Sequence, residues 1–151
     1  MPPVTFETIT PKPLPFKYEA GEPPFSEVEA WSAAIDYWSE LGFDRIEAYE
    51  RELTEYARTK VGAIPGVRIL GDPVDRISVV TFVVEGQDAN DVEQALDEDG
   101  IAARAGNLEA APLLRALGVE KAVRASFMFY NTQGEADALA ASLARIAGGS
   151  D

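Results

Sequence analysis

The sequence predicts an α+β fold, in which a small antiparallel or mixed sheet carries helices packed on one face. Three observations predict it. Apolar residues recur at helical spacing through residues 26–41 and again through 44–61. The period then changes to short β-branched runs, above all residues 77–84. From there to the C-terminus helix-like and strand-like segments alternate, so the expected order is ααββαβαβα.

Residues 1–25 read as an extended arm, because Pro2, Pro3, Pro11, Pro13, Pro15, Pro23 and Pro24 block helix and central strand alike. Within it Val4-Thr5-Phe6 and residues 14–18 are expected to form edge strands or to lie across a neighbour. A single domain is expected over residues 26–151. Ser26 followed by Glu29 is a capping-box signature, and Val28, Trp31, Ala34, Ile35, Trp38 and Leu41 mark a first helix stopped by Gly42. Asp44 with Glu47 repeats the signature for a second helix ending before Pro65-Gly66. Residues 67–70 are a short strand, and residues 77–84 a buried central one. Asp88 caps a helix closed by Gly100, followed by a strand over 101–104, a short helix over 108–117 and a strand over 122–130. Thr132 with Glu135 opens the last helix, expected to reach about Ile146.

Composition limits the chemistry. A chain of 151 residues with 46% hydrophobic and 26% charged content has the makings of one folded domain. The net charge of −13 repels a phosphate backbone, which argues against nucleic acid as a partner. The longest apolar run is far shorter than the roughly 20 residues a membrane span requires. No membrane association and a cytoplasmic location are expected. The chain has no cysteine and no histidine, which excludes disulfides, thiolate nucleophiles and every Ser-His or Cys-His relay. Asp97-Glu98-Asp99 ends a helix and lacks the Gly-spaced loop of a calcium site, so no metal is expected.

The stretch over residues 101–132 joins a strand carrying one cation, Arg124, to a Gly-containing loop at Arg104-Ala105-Gly106. Such an arrangement suits an anionic group held at a cleft. Arg124 is the candidate binding residue, with a structural ion pair as the plainer alternative. Arg104 is read as turn support beside Gly106. Asn107 and Glu109 are further candidate loop contacts. Glu109 has the look of a carboxylate favoured by a helix start, with acid or base work as its functional alternative.

Several of these stretches resemble the C-terminal part of class V aminotransferase-type enzymes that use pyridoxal phosphate, most closely cysteine desulfurases and selenocysteine lyases. They are Phe16-Lys17-Tyr18-Glu19-Ala20-Gly21, Ala33-Ala34-Ile35-Asp36-Tyr37 with Leu41-Gly42, Leu96-Asp97-Glu98 with Gly100-Ile101, Arg104-Ala105-Gly106, and Arg124-Ala125-Ser126 with Tyr130-Asn131-Thr132. Their order and spacing cover nearly the whole chain. The resemblance implies the small C-terminal domain of a fold-type I enzyme, with Arg124 on the substrate α-carboxylate. It also implies that the cofactor-bearing large domain lies elsewhere, since none of Lys12, Lys17, Lys60 or Lys121 matches the cofactor lysine. No cofactor is therefore expected on the isolated chain. Where the desulfurases carry two histidines and the sulfur-accepting cysteine, this sequence reads Asn107-Leu108-Glu109, which implies no persulfide chemistry. Glu22 stands where a phosphate-contacting threonine is often found, and its charge would repel a phosphate.

Three roles follow as expectations. One is a non-catalytic association module, acting as a homo-oligomer or with a protein partner through the first two helices, whose aromatic faces include Trp31, Tyr37, Trp38, Tyr49 and Tyr56. Another is one half of a split pyridoxal-phosphate enzyme (aminotransferase, racemase or lyase) acting on an amino acid through Arg124. The third is a piece of a longer enzyme.

Overall fold

The computed structural model describes residues 6–149. Two compact units meet in sequence between Glu40 and Leu41. The first contains a short 3-10 helix over Phe16–Tyr18 and helix α1 (Phe25–Leu41). The edge strand expected over residues 14–18 is replaced by that 3-10 turn, in which Pro13 and Pro15 carbonyls accept from the Lys17 and Tyr18 amides. Proline's fixed φ suits a turn of this kind better than a strand. The strand expected at Val4-Thr5-Phe6 falls mostly outside the described residues. Helix α1 begins at Phe25, directly after Pro23-Pro24, so Ser26 lies inside the helix and is not its cap.

The second unit holds the sheet. Helix α2 (Phe43–Gly62) leads into β1 (Val67–Ile69), then β2 (Val79–Val84), α3 (Ala89–Glu98), β3 (Arg104–Gly106), α4 (Ala111–Ala116), β4 (Ala122–Ser126) and α5 (Gln133–Gly148). The four strands are antiparallel in the order β1-β2-β4-β3. The element order and the α+β class agree with the sequence reading. Asp44 does not cap α2, because Gly42 at φ 89° is the cap residue and its carbonyl takes the Arg45 and Ile46 amides. Glycine reaches that backbone region without the Cβ clash that Asp would meet.

Strand β2 alternates half-buried and buried residues, and its buried set, Val80, Phe82 and Val84, points at helices α2, α3 and α5. Leu53, Ala57 and Val61 on α2, Val92 and Leu96 on α3, and Leu139 and Leu143 on α5 close this core. The helices hold their positions by local chemistry. Asp88 caps α3 by accepting from the Asn90 amide, and Gly100 at φ 77° ends it with a pair of backbone bonds, Ile101 to Leu96 and Gly100 to Asp97. That closure occupies Ile101, so β3 starts only at Arg104. Thr132 and Glu135 form a reciprocal capping box on α5.

The opposite face of the sheet carries a second, smaller apolar cluster. Leu70, Leu114 and Ala122 are buried there, with Leu108, Leu117, Val119 and Val83 packed against them. Among the described residues of this unit, helix α4 adds cover on this side.

Exposed ion pairs tie the helices together and set a pH dependence. The Asp137 carboxyl lies below its ordinary 3.8, chiefly through a hydrogen bond from Lys60 and then from Tyr56. Glu135 lies below its ordinary 4.5 through the Thr132 amide, and Asp88 below 3.8 through Lys121 and then Asn90. A carboxyl with a lowered folded-state pKa stabilises fully above its ordinary value and loses that contribution as pH falls through the lowered one. Lys60 is raised above 10.5, mainly by Asp137, so its share is present below that value and disappears as pH rises through the raised one. Urea midpoints are therefore expected to hold level near neutrality and to fall below the ordinary carboxylate range. The variant Asp137→Asn should flatten part of that acid limb.

Candidate functional site

Arg124 sits in the middle of β4, a strand paired on both sides. Its direct cross-strand neighbours are Thr81 on β2 and Arg104 on β3. Residues directly opposite in an antiparallel ladder share a face, so Thr81, Arg124 and Arg104 all lie on the side away from the main core. Like charges in that relation repel, and the two arginines are handled differently. Arg104 is exposed and donates to Glu109 at 3.4 Å. Arg124 is half-buried, and its Nε is buried with no hydrogen-bond partner among the described residues.

Arg124 lines a cavity of about 840 Å³ between the sheet and α4. This falls within the range of roughly 300–1,000 Å³ usual for small-molecule sites. The cavity also contains Arg58 and Arg76, but both are engaged. Arg58 donates to Asp72 at 3.0 Å, while Arg76 reaches Glu55 at 3.3 Å and Asp72 at 3.5 Å. Among the arginines of the cavity, Arg124 is the one left without an ion pair among the described residues. Aliphatic side chains supply most of the remaining wall.

The other candidate residues form the loop that borders this site. Asn107 Oδ1 accepts from the Glu109 amide at 3.1 Å. Leu108 (φ 52°) and Glu109 (φ 55°) lie in the left-handed region, uncommon for residues other than glycine. This pair of backbone conformations delays α4, so the helix expected from residue 108 begins at Ala111. Leu108 turns into the cavity, whereas the Glu109 side chain is 82% exposed, points to solvent and does not line it. The arrangement brings together Arg124 and Leu108. Arg104, Asn107 and Glu109 are linked to one another and do not line the cavity, although Arg104 pairs with Arg124 across the ladder.

Sequence reasoning missed a brace that holds this region. Glu50 on α2 accepts from Ser78 Oγ at 2.8 Å and from the Phe129 amide at 2.9 Å. It thus joins the segment entering β2 to the segment leaving β4. Tyr49 donates to the Asn131 carbonyl at 2.7 Å, and Asn131 Oδ1 takes the Met128 amide at 2.9 Å. This turn ends β4 at Ser126, four residues short of the expected Tyr130. The signal for Glu50 was present, since it lies one helical turn before buried Thr54 and two before buried Ala57.

The aminotransferase class-V profile matches residues 2–139. The chain belongs to the aminotransferase class-V family. Members similar to it include a cysteine desulfurase of Synechococcus elongatus, 40% identical over 97% of this chain but only 24% of its own length. A probable cysteine desulfurase of Mycolicibacterium paratuberculosis is 42% identical, again over 97% of this chain and 21% of its own. Among solved structures, the cysteine desulfurase CsdA from Escherichia coli superimposes with a TM-score of 0.80 at 35% identity, covering 95% of this chain and 35% of that one. The apo cysteine desulfurase from Thermococcus onnurineus NA1 gives 0.83 at 28% identity, covering 97% and 37%. This class-V chain therefore spans about a fifth to just over a third of the relatives it matches.

The family uses pyridoxal phosphate, and the residues lining this cavity do not fit that group on their own. A Schiff base needs a lysine facing the site. No lysine lines the cavity: Lys60 is paired with Asp137 at 2.9 Å, Lys121 with Asp88 at 2.7 Å, and Lys12 and Lys17 belong to the first unit. Nor does any Ser, Tyr, His or Cys line it. What this class-V segment offers is one guanidinium on a rigid strand beside an apolar wall. That combination can hold and orient an anion, while Thr81 and the exposed carboxylates of Asp72 and Asp75 complete the polar lining.

Proposed function

We propose that this segment is the carboxylate-holding part of a class-V pyridoxal-phosphate enzyme acting on an amino acid, and that it performs no catalysis alone. The observation that carries the reading is that Arg124, half-buried, lines the cavity and makes no ion pair among the described residues. A charged group held partly out of water without a partner costs on the order of 1–3 kcal/mol or more, and an anion in the cavity would offset that cost. A carboxylate is the natural match, because guanidinium grips it through two parallel N–H bonds. The cofactor and its lysine belong to a portion supplied outside these residues, whether on the same chain or another. Glu109 in place of the desulfurase cysteine argues against sulfur transfer to this loop and for an aminotransferase, racemase or lyase reaction.

The test is to titrate the purified 151-residue chain with pyridoxal phosphate, reduce with borohydride and map adducts by mass spectrometry. Scattered, substoichiometric labelling of surface lysines is expected. One lysine labelled stoichiometrically would overturn the reading, because the chain would then hold its own cofactor site.

A second reading, an association module without chemistry, is favoured by α1. Phe25, Val28, Trp31 and Ile35 recur at helical spacing and all are exposed. On this reading sedimentation velocity should reveal a self-associating species that Trp31→Glu dissociates. A monomer at high concentration would count against self-association.

A further inference from the structure

We infer that the carboxylate held by Arg124 belongs to a molecule with an aliphatic tail, which the α4 side of the cavity receives. The inference rests on the carboxylate reading above and adds the class of side chain. Its basis is the composition of the wall. Leu108, Leu113, Leu114 and Leu117 approach from the loop and α4, Leu70 from the end of β1, and Ile77 from the approach to β2. Leu114 is nearly fully buried, while Leu113 is 59% exposed, an apolar surface open to be covered.

Most polar groups of the cavity do not compete for a tail. Arg58 and Arg76 are closed in a network with Asp72 and Glu55, Asp75 is exposed, and the half-buried Thr81 lies beside Arg124 on the sheet, not on the α4 wall. A polar side chain placed against the leucines would be desolvated without a partner, and a charged one at still greater cost. A branched aliphatic chain meets no such penalty and gains from each carbon buried. The desulfurase cysteine position does not alter this, since Glu109 points away from the cavity.

The experiment is isothermal titration of the 151-residue chain with acetate, isovalerate, isocaproate and isocaproamide, repeated on Arg124→Gln and Leu113→Ser. Burying one methylene is worth about 0.8 kcal/mol, or roughly fourfold in affinity per carbon. With incomplete burial, isocaproate is expected to bind at least about tenfold more tightly than acetate. The amide should bind far more weakly, and Leu113→Ser should shrink the isocaproate-to-acetate ratio. Equal affinities for the three acids, all lost in Arg124→Gln, would overturn the aliphatic tail and leave the carboxylate reading standing. Binding that persists in Arg124→Gln, or no binding by any acid, would overturn both.

Discussion

Replacing Phe82 by alanine is expected to lower the stability of the chain by about 3–5 kcal/mol, the largest loss of any single truncation in the sheet. Phe82 is fully buried in the central strand β2, directly opposite Ile69 of β1 and Val123 of β4. It lies between the sheet and helices α2, α3 and α5, so no neighbour can collapse into the space without shifting a paired strand. Since a domain of this size has a total stability of only about 5–15 kcal/mol, the variant should be partly unfolded at modest temperature. Urea denaturation read by circular dichroism measures it. A loss under about 1 kcal/mol, typical of a surface or readily repacked site, would mean that this face of β2 is not the centre of the core.

Substituting Arg124 separates function from stability. If the guanidinium served the fold, its removal would destabilise, as breaking an internal ion pair does. Here it faces Arg104 across the ladder and leaves a buried donor unused, so its removal relieves two unfavourable terms. Arg124→Leu is therefore expected to be as stable as the parent chain or slightly more so. Carboxylate affinity should fall on the order of 10- to 100-fold in the same variant, the worth of a charge-assisted hydrogen bond. Opposite signs for stability and binding mark a residue retained for a ligand. A variant that loses both would identify Arg124 as structural.

These two residues also show what could be read from the sequence. Phe82 lies in the longest β-branched run, and the near-continuous apolar character of that run pointed to a buried central strand; the pairing of β2 with both β1 and β4 agrees. The caps at Asp88 and Thr132 were legible because an N-cap acts within three residues of itself. Those expected at Ser26 and Asp44 failed because Pro23-Pro24 and Gly42 set the helix starts first, and competition between adjacent signals is not visible in either signature alone. Arg124 was found through its strand and its resemblance to a family motif. Its surroundings were not, since Leu70, Ile77, Leu108 and Leu113 come from separate segments and look in sequence like ordinary core residues. The left-handed conformations of Leu108 and Glu109 also left no mark, because neither is a residue type that announces such a backbone.

The account stands or falls on whether the Arg124 guanidinium is a ligand donor, which its Nε–H reports. Its resonance can be followed by two-dimensional nitrogen-15 NMR while isocaproate, and separately isocaproamide, is added to the intact chain. A saturable shift of that resonance with the acid, and none with the amide, is the predicted result. An unmoved Nε–H signal across the titration, together with a stability loss in Arg124→Leu, would contradict the account and return Arg124 to the framework of the sheet.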